Sequence, residues 1–104
     1  MASTPVGPPA GIFWIKPGDW NRYVSLCIDR ETLPTTYEKW LYRAEKAAKR
    51  LTQQGWEIIR VYVDLDEFSA WCRLKRLDIN SDARTEYANE VAAAQVRARD
   101  HTKH

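Results

Sequence analysis

The stretch Leu51-Thr-Gln-Gln-Gly55-Trp-Glu-Ile-Ile-Arg60-Val-Tyr-Val63-Asp64 decides how the rest of the chain is read. Upstream of Gly55 the apolar residues recur at helical spacing; downstream they alternate. A glycine at that change of period suits the left-handed position just past a helix end. The segment predicts a helix closing before Gly55 and a strand over residues 56–63. Ile59, Val61 and Val63 share one face of that strand, and Ile58, Arg60 and Tyr62 the other. The second face is also partly apolar, so both faces are expected to be covered.

Working upstream, Tyr37, Trp40, Leu41, Ala44, Ala47, Ala48 and Leu51 form one apolar stripe at helical period. Thr35 with Glu38 has the spacing of a capping box, which would start this helix. Before it, Trp20, Tyr23, Val24, Cys27 and Ile28 mark the face of a shorter helix, with Asp19 as its cap and an end near Asp29. Gly11-Ile-Phe-Trp-Ile15 reads as a strand, stopped by Pro17-Gly18. Residues 1–10, with three prolines, read as an extended tail.

Downstream, Asp64 and Glu67 repeat the capping spacing, and Leu65, Phe68, Trp71 and Cys72 give a third stripe fading near Leu77. Asn80 or Ser81 would cap a last helix, with Ala83, Tyr87, Val91, Ala94 and Ala98 on its apolar side. Residues 99–104 are expected to fray. The expectation is one α+β domain over residues 11–98, in the order β-α-α-β-α-α, with four helices packed on a two-stranded sheet. A sheet that thin needs covering helices or further strands. A second copy could extend it across a two-fold axis, so a homodimer is expected.

A chain of 104 residues has little interior to share out. Its five tryptophans, Trp14, Trp20, Trp40, Trp56 and Trp71, fall in separate predicted elements. Spreading large aromatic side chains in this way builds a core from few residues. The net charge of +2 points to no charged partner by itself. Cys27 and Cys72 have neither zinc-site nor disulfide spacing; they read as core residues in a reducing, cytoplasmic setting. No leader-like N-terminus and no apolar run long enough for a bilayer is present, so no membrane partner is expected.

Chemistry-bearing residues are sparse. His101 and His104 are the only histidines, at a spacing that a helical end could present to one metal ion. Metal sites normally need three or four positioned ligands, and these are two. Asp64, Asp66 and Glu67 are the densest acidic group, readable as a metal or acid–base cluster. The plainer reading is helix-start chemistry, since acids there complement the helix dipole. There is no glycine-rich phosphate loop and no GxSxG segment, and no cofactor is expected.

The most distinctive surface lies on the second predicted helix. Lys39, Arg43, Lys46 and Arg50 recur at i, i+4, i+7 and i+11, opposite the apolar stripe. They form a basic ridge about 17 Å long. It could track a phosphate backbone or meet an acidic protein, or simply be a solvated face. Arg73, Lys75 and Arg76 would enlarge it if the third helix lay alongside. Tyr42, beside the ridge, and Tyr62 are possible stacking platforms, with partial packing against neighbours as the plainer account.

Leu33-Pro-Thr-Thr-Tyr-Glu-Lys-Trp40, Ala44-Glu-Lys-Ala-Ala48, Val63-Asp-Leu-Asp-Glu-Phe-Ser-Ala-Trp-Cys72 and Asp82-Ala-Arg-Thr-Glu-Tyr-Ala88 together resemble a group of short bacterial proteins to which no activity is attached. The resemblance spans residues 20–93 and rests on caps and core aromatics, so it implies a shared fold rather than a shared activity. Proteins of that kind often travel on phages, plasmids or other mobile elements. The sequence puts first a non-catalytic binding or regulatory module acting by protein–protein contact. Second comes a nucleic-acid-binding accessory protein using the ridge, and third a small carboxylate enzyme built on Asp64, Asp66 and Glu67.

Overall fold

Gly55 does take the left-handed conformation, at φ 98°, and divides a helix from a strand as its neighbours require. In the computed structural model, which describes residues 7–101 with side chains to Arg99, the elements follow the expected order. They are β1 (Pro9–Trp14), α1 (Trp20–Leu26), α2 (Tyr37–Gln53), β2 (Glu57–Tyr62), α3 (Leu65–Lys75) and α4 (Ser81–His101), with 3-10 turns at Pro17–Asp19 and Arg30–Thr32. The fold is a mixed α and β one, with four helices on a two-stranded sheet among the described residues. Residues 1–6 and 102–104, at the two expected tails, lie outside the described residues.

β1 and β2 pair in parallel, with Gly11 opposite Ile59, Phe13 opposite Val61 and Trp14 opposite Tyr62. Parallel neighbours need a long crossover, which α1 and α2 provide. Register and alternation sort the side chains by face. Gly11, Phe13, Ile59 and Val61 look one way; Ile12, Trp14, Ile58, Arg60 and Tyr62 look the other. On the first face Phe13 meets Phe68 of α3 and Tyr87 of α4, with ring centroids 4.8 and 6.2 Å apart. On the second, Trp14 meets Trp40 of α2 edge-on at 5.5 Å, and Arg60 reaches Glu45 of α2. The sheet is therefore the middle of three layers, α2 on one side and α3 with α4 on the other. Trp20 of α1 joins the two sides at one end, touching Tyr23 as well as Tyr37 and Trp40.

Several boundaries differ from the reading of the sequence. β1 begins at Pro9, inside the segment read as tail, and the Pro8 carbonyl accepts from the Glu57 amide. α1 ends at Leu26, Asp19 makes no side-chain cap, and Ile28 is exposed rather than packed. The turn at Pro17–Asp19 supplies the start of α1 instead, running directly into Trp20. α2 is capped by Thr36, whose Oγ1 accepts from the Lys39 amide at 3.1 Å, one residue later than the capping-box spacing suggested. α4 remains helical to His101, beyond the point where fraying was expected, and Arg99 pairs with Glu57.

The apolar line of α4 runs through Ala83, Tyr87, Ala88, Val91 and Ala92, while Ala94 and Ala98 face away. The reason is Gly11. A Cβ there would collide with the Ala88 carbonyl and press on the Ala92 methyl, so α4 lies directly on the β1 backbone. Cys27 and Cys72 are both buried and free, as core residues. Of the tryptophans, Trp14 and Trp20 are buried, Trp40 and Trp71 pack against the core, and Trp56, just outside β2, is 39% exposed.

Candidate functional site

α2 is held by its apolar side and leaves its opposite side to solvent. Ala44 and Ala48 are buried, and Tyr37 and Trp40 pack against the core. Lys39, Arg43, Lys46 and Arg50 are all exposed on the far side. Helical spacing sets these four within a narrow arc, so they form one row. Thr36 fixes the start of that row, and Lys39 Nζ donates to Thr35 Oγ1 at 3.1 Å. Tyr42 stands beside it, 66% exposed, with the Lys46 ammonium 5.3 Å from the centre of its ring. Tyr42 therefore stands largely in solvent, with Lys46 over its ring. Between these side chains lies an open concavity of about 670 Å³, lined by Glu38, Lys39, Tyr42, Arg43, Lys46, Ala47 and Arg50.

The four cations of this row have no carboxylate partner among the described residues, unlike those that tie the elements together. Arg22 pairs with Asp66, Arg60 with Glu45, Lys75 with Glu86 and Glu90, Arg84 with Asp29, and Arg99 with Glu57. Among the described residues none of Lys39, Arg43, Lys46 or Arg50 has a carboxylate within salt-bridge distance. Glu38 is the one acid on the lining, at the start of the helix.

The other residues singled out from sequence do not join the row. Arg73, Lys75 and Arg76 belong to α3 and its end, across the sheet from α2. Lys75 is engaged with Glu86 and Glu90 and lies 5.2 Å from the Trp71 ring centre. Arg76 adopts a left-handed conformation at φ 57°, closing α3, a role its side chain gave no sign of. Tyr62 is 65% exposed on the strand itself, away from the ridge. The acidic group is occupied with the start of α3: Asp64 Oδ1 accepts from the Glu67 amide at 3.0 Å, and Asp66 pairs with Arg22. Among the described residues no group of three or more His, Cys, Asp or Glu side chains could hold a metal. The pairing of His101 with His104 falls outside the described side chains.

One polar cluster was missed from sequence. Arg84 of α4 grips Asp29 with both guanidinium nitrogens, at 3.0 and 2.7 Å, and touches Cys27 Sγ at 3.5 Å. It also lies 5.8 Å from the Tyr23 ring centre. The Arg84 hydrogen bonds hold the Asp29 carboxyl below its ordinary range. Burial pushes the Tyr23 hydroxyl well above its ordinary value. Burial also raises both thiols, Cys27 and Cys72, which leaves each in its unreactive protonated form. With both side chains mostly enclosed, this cluster ties the end of α1 to α4.

No family model, no curated protein and no solved structure matches this chain. Among the described residues no helix is long and apolar enough to cross a membrane.

Proposed function

We propose that this chain is a nucleic-acid-binding accessory module, and that single strands lie along the outer face of α2. The observation that carries the reading is the row Lys39, Arg43, Lys46 and Arg50, four exposed cations in one line with no carboxylate within salt-bridge distance among the described residues. Unpaired cations in a line suit a phosphate backbone, which gains affinity by releasing counterions. Tyr42 adds the sequence-tolerant stacking surface that single-strand binders use beside such cations. The buried thiols fit a reducing, cytoplasmic compartment.

The test is fluorescence anisotropy with labelled single-stranded oligonucleotides over a range of salt. Four phosphate contacts give a log–log slope of about −3, hence a loss of about fifty-fold between roughly 50 and roughly 200 mM salt. Arg43→Glu with Lys46→Glu should abolish binding while leaving the melting temperature in place. A flat salt response, or unchanged binding by the double variant, rules the reading out. Salt-insensitive retention of a protein partner would restore protein–protein contact to first place.

A further inference from the structure

The two edges of the sheet are treated differently by the fold. At β1, α4 lies against the backbone and Asn89 Oδ1 accepts the outward Gly11 amide at 2.9 Å. At β2 no such cover is seen among the described residues. The Glu57 amide donates to Pro8 O and the Val63 amide to Trp14 O, which fixes the phase of the ladder. Residues 57, 59 and 61 thus point their amides at β1, and Ile58, Arg60 and Tyr62 point theirs outward. Among the described residues, those outward groups meet no hydrogen-bonding partner. Beside them runs a groove of about 440 Å³, lined by Glu45, Ala48, Lys49 and Thr52 of α2 together with Ile58 and Arg60.

We propose that a second copy of this chain adds its β2 to this edge, antiparallel about a two-fold axis at Ile59, giving one four-stranded sheet. Open strands are templates for pairing, and natural edges are usually blunted by proline, lysine or a bulge. Between Glu57 and Tyr62 there is neither proline nor lysine, and the one cation, Arg60, is already engaged by Glu45 and by the face of Trp14. The side chains choose the register. An axis at Arg60 sets two guanidinium groups face to face, which like charges disfavour. An axis at Ile59 sets Ile58 against the partner's Arg60, with reciprocal backbone hydrogen bonds. It also brings exposed Trp56 beside the partner's Tyr62, and Ile59 against its own copy. An axis at Val61 leaves Trp56 uncovered and puts Ile58 opposite the partner's Asp64. Only the Ile59 register covers both exposed aromatics and opposes no like charges. That symmetry keeps both α2 helices on one face of the joined sheet, so the two basic rows look the same way.

Sedimentation of the intact chain from micromolar to about millimolar concentration tests the proposal without any nucleic acid. The wild type should show a concentration-dependent dimer. Tyr62→Lys, at a position open to solvent in the monomer, should weaken it about tenfold at unchanged melting temperature. Mild oxidation of Ile59→Cys should yield a covalent dimer, because the axis brings that position against itself and the native thiols are buried. A monomer throughout, or a dimer that ignores Tyr62→Lys, overturns the proposal. So does a cross-link that forms with Arg60→Cys and not with Ile59→Cys.

Discussion

Gly11 shows how a single residue can set the spacing of two layers. Nothing in its neighbourhood marks it out, because the atoms that forbid a side chain there, the Ala88 carbonyl and the Ala92 methyl, come from α4. Gly11→Ala should therefore force α4 off the sheet, destabilising the fold by about 3 kcal/mol. In a domain of this size that lowers the melting temperature by roughly 15 °C, readable by calorimetry. Asp29 is a second such position. Its partner Arg84 is far away in sequence, and the pair is invisible until α1 and α4 meet. Because Arg84 depresses the folded-state pKa of Asp29, the stabilisation is present above the ordinary aspartate range. It is lost as pH falls through the depressed folded value. Asp29→Asn should accordingly be less stable than wild type at neutral pH, with the gap closing in acid, as urea melts at a series of pH values would show.

At the scale of the element, α2 and α3 were largely written in their own residues. The apolar stripe of α2, the glycine after it and the acidic cap of α3 are local signals. Each satisfies backbone groups that the helix itself leaves open. Where the reading slipped, two adjacent residues offered the same chemistry. Thr35 and Thr36 can each cap, and the backbone at Thr36 is extended where capping needs it, so Thr36 wins. The basic row was equally legible, since helical spacing alone aligns Lys39 with Arg50. Its lack of carboxylate partners was not legible, because that depends on which acids other elements bring near. Asp64→Ala removes the acceptor for the Glu67 amide and should cost about 1 kcal/mol in a denaturant titration. Asp66→Ala, which loses only a solvent-exposed ion pair with Arg22, should change stability far less.

For the whole molecule, the order of elements followed from periodicity, but the direction of the sheet did not. Two strands of similar length can pair either way, and the long connection that carries α1 and α2 between them permits the parallel choice. β2 keeps an outward edge, while α4, lying on the face of the sheet, also reaches the edge of β1 at Gly11 through Asn89, a difference no local pattern announces. The tryptophans record the result. Trp14 and Trp20 are enclosed within the layers, Trp40 and Trp71 pack against them, and Trp56 stands at the end of the open edge. In the native monomer, acrylamide should reach Trp56 far more readily than the enclosed indoles. Trp56→Phe should remove most of the quenchable emission and shift the remaining spectrum to the blue. Raising the concentration of wild-type protein should protect the same emission, because the partner's Tyr62 would then lie against that ring. If quenching instead persists at wild-type strength in Trp56→Phe, water reaches the inner indoles, and the layered core is not closed in solution.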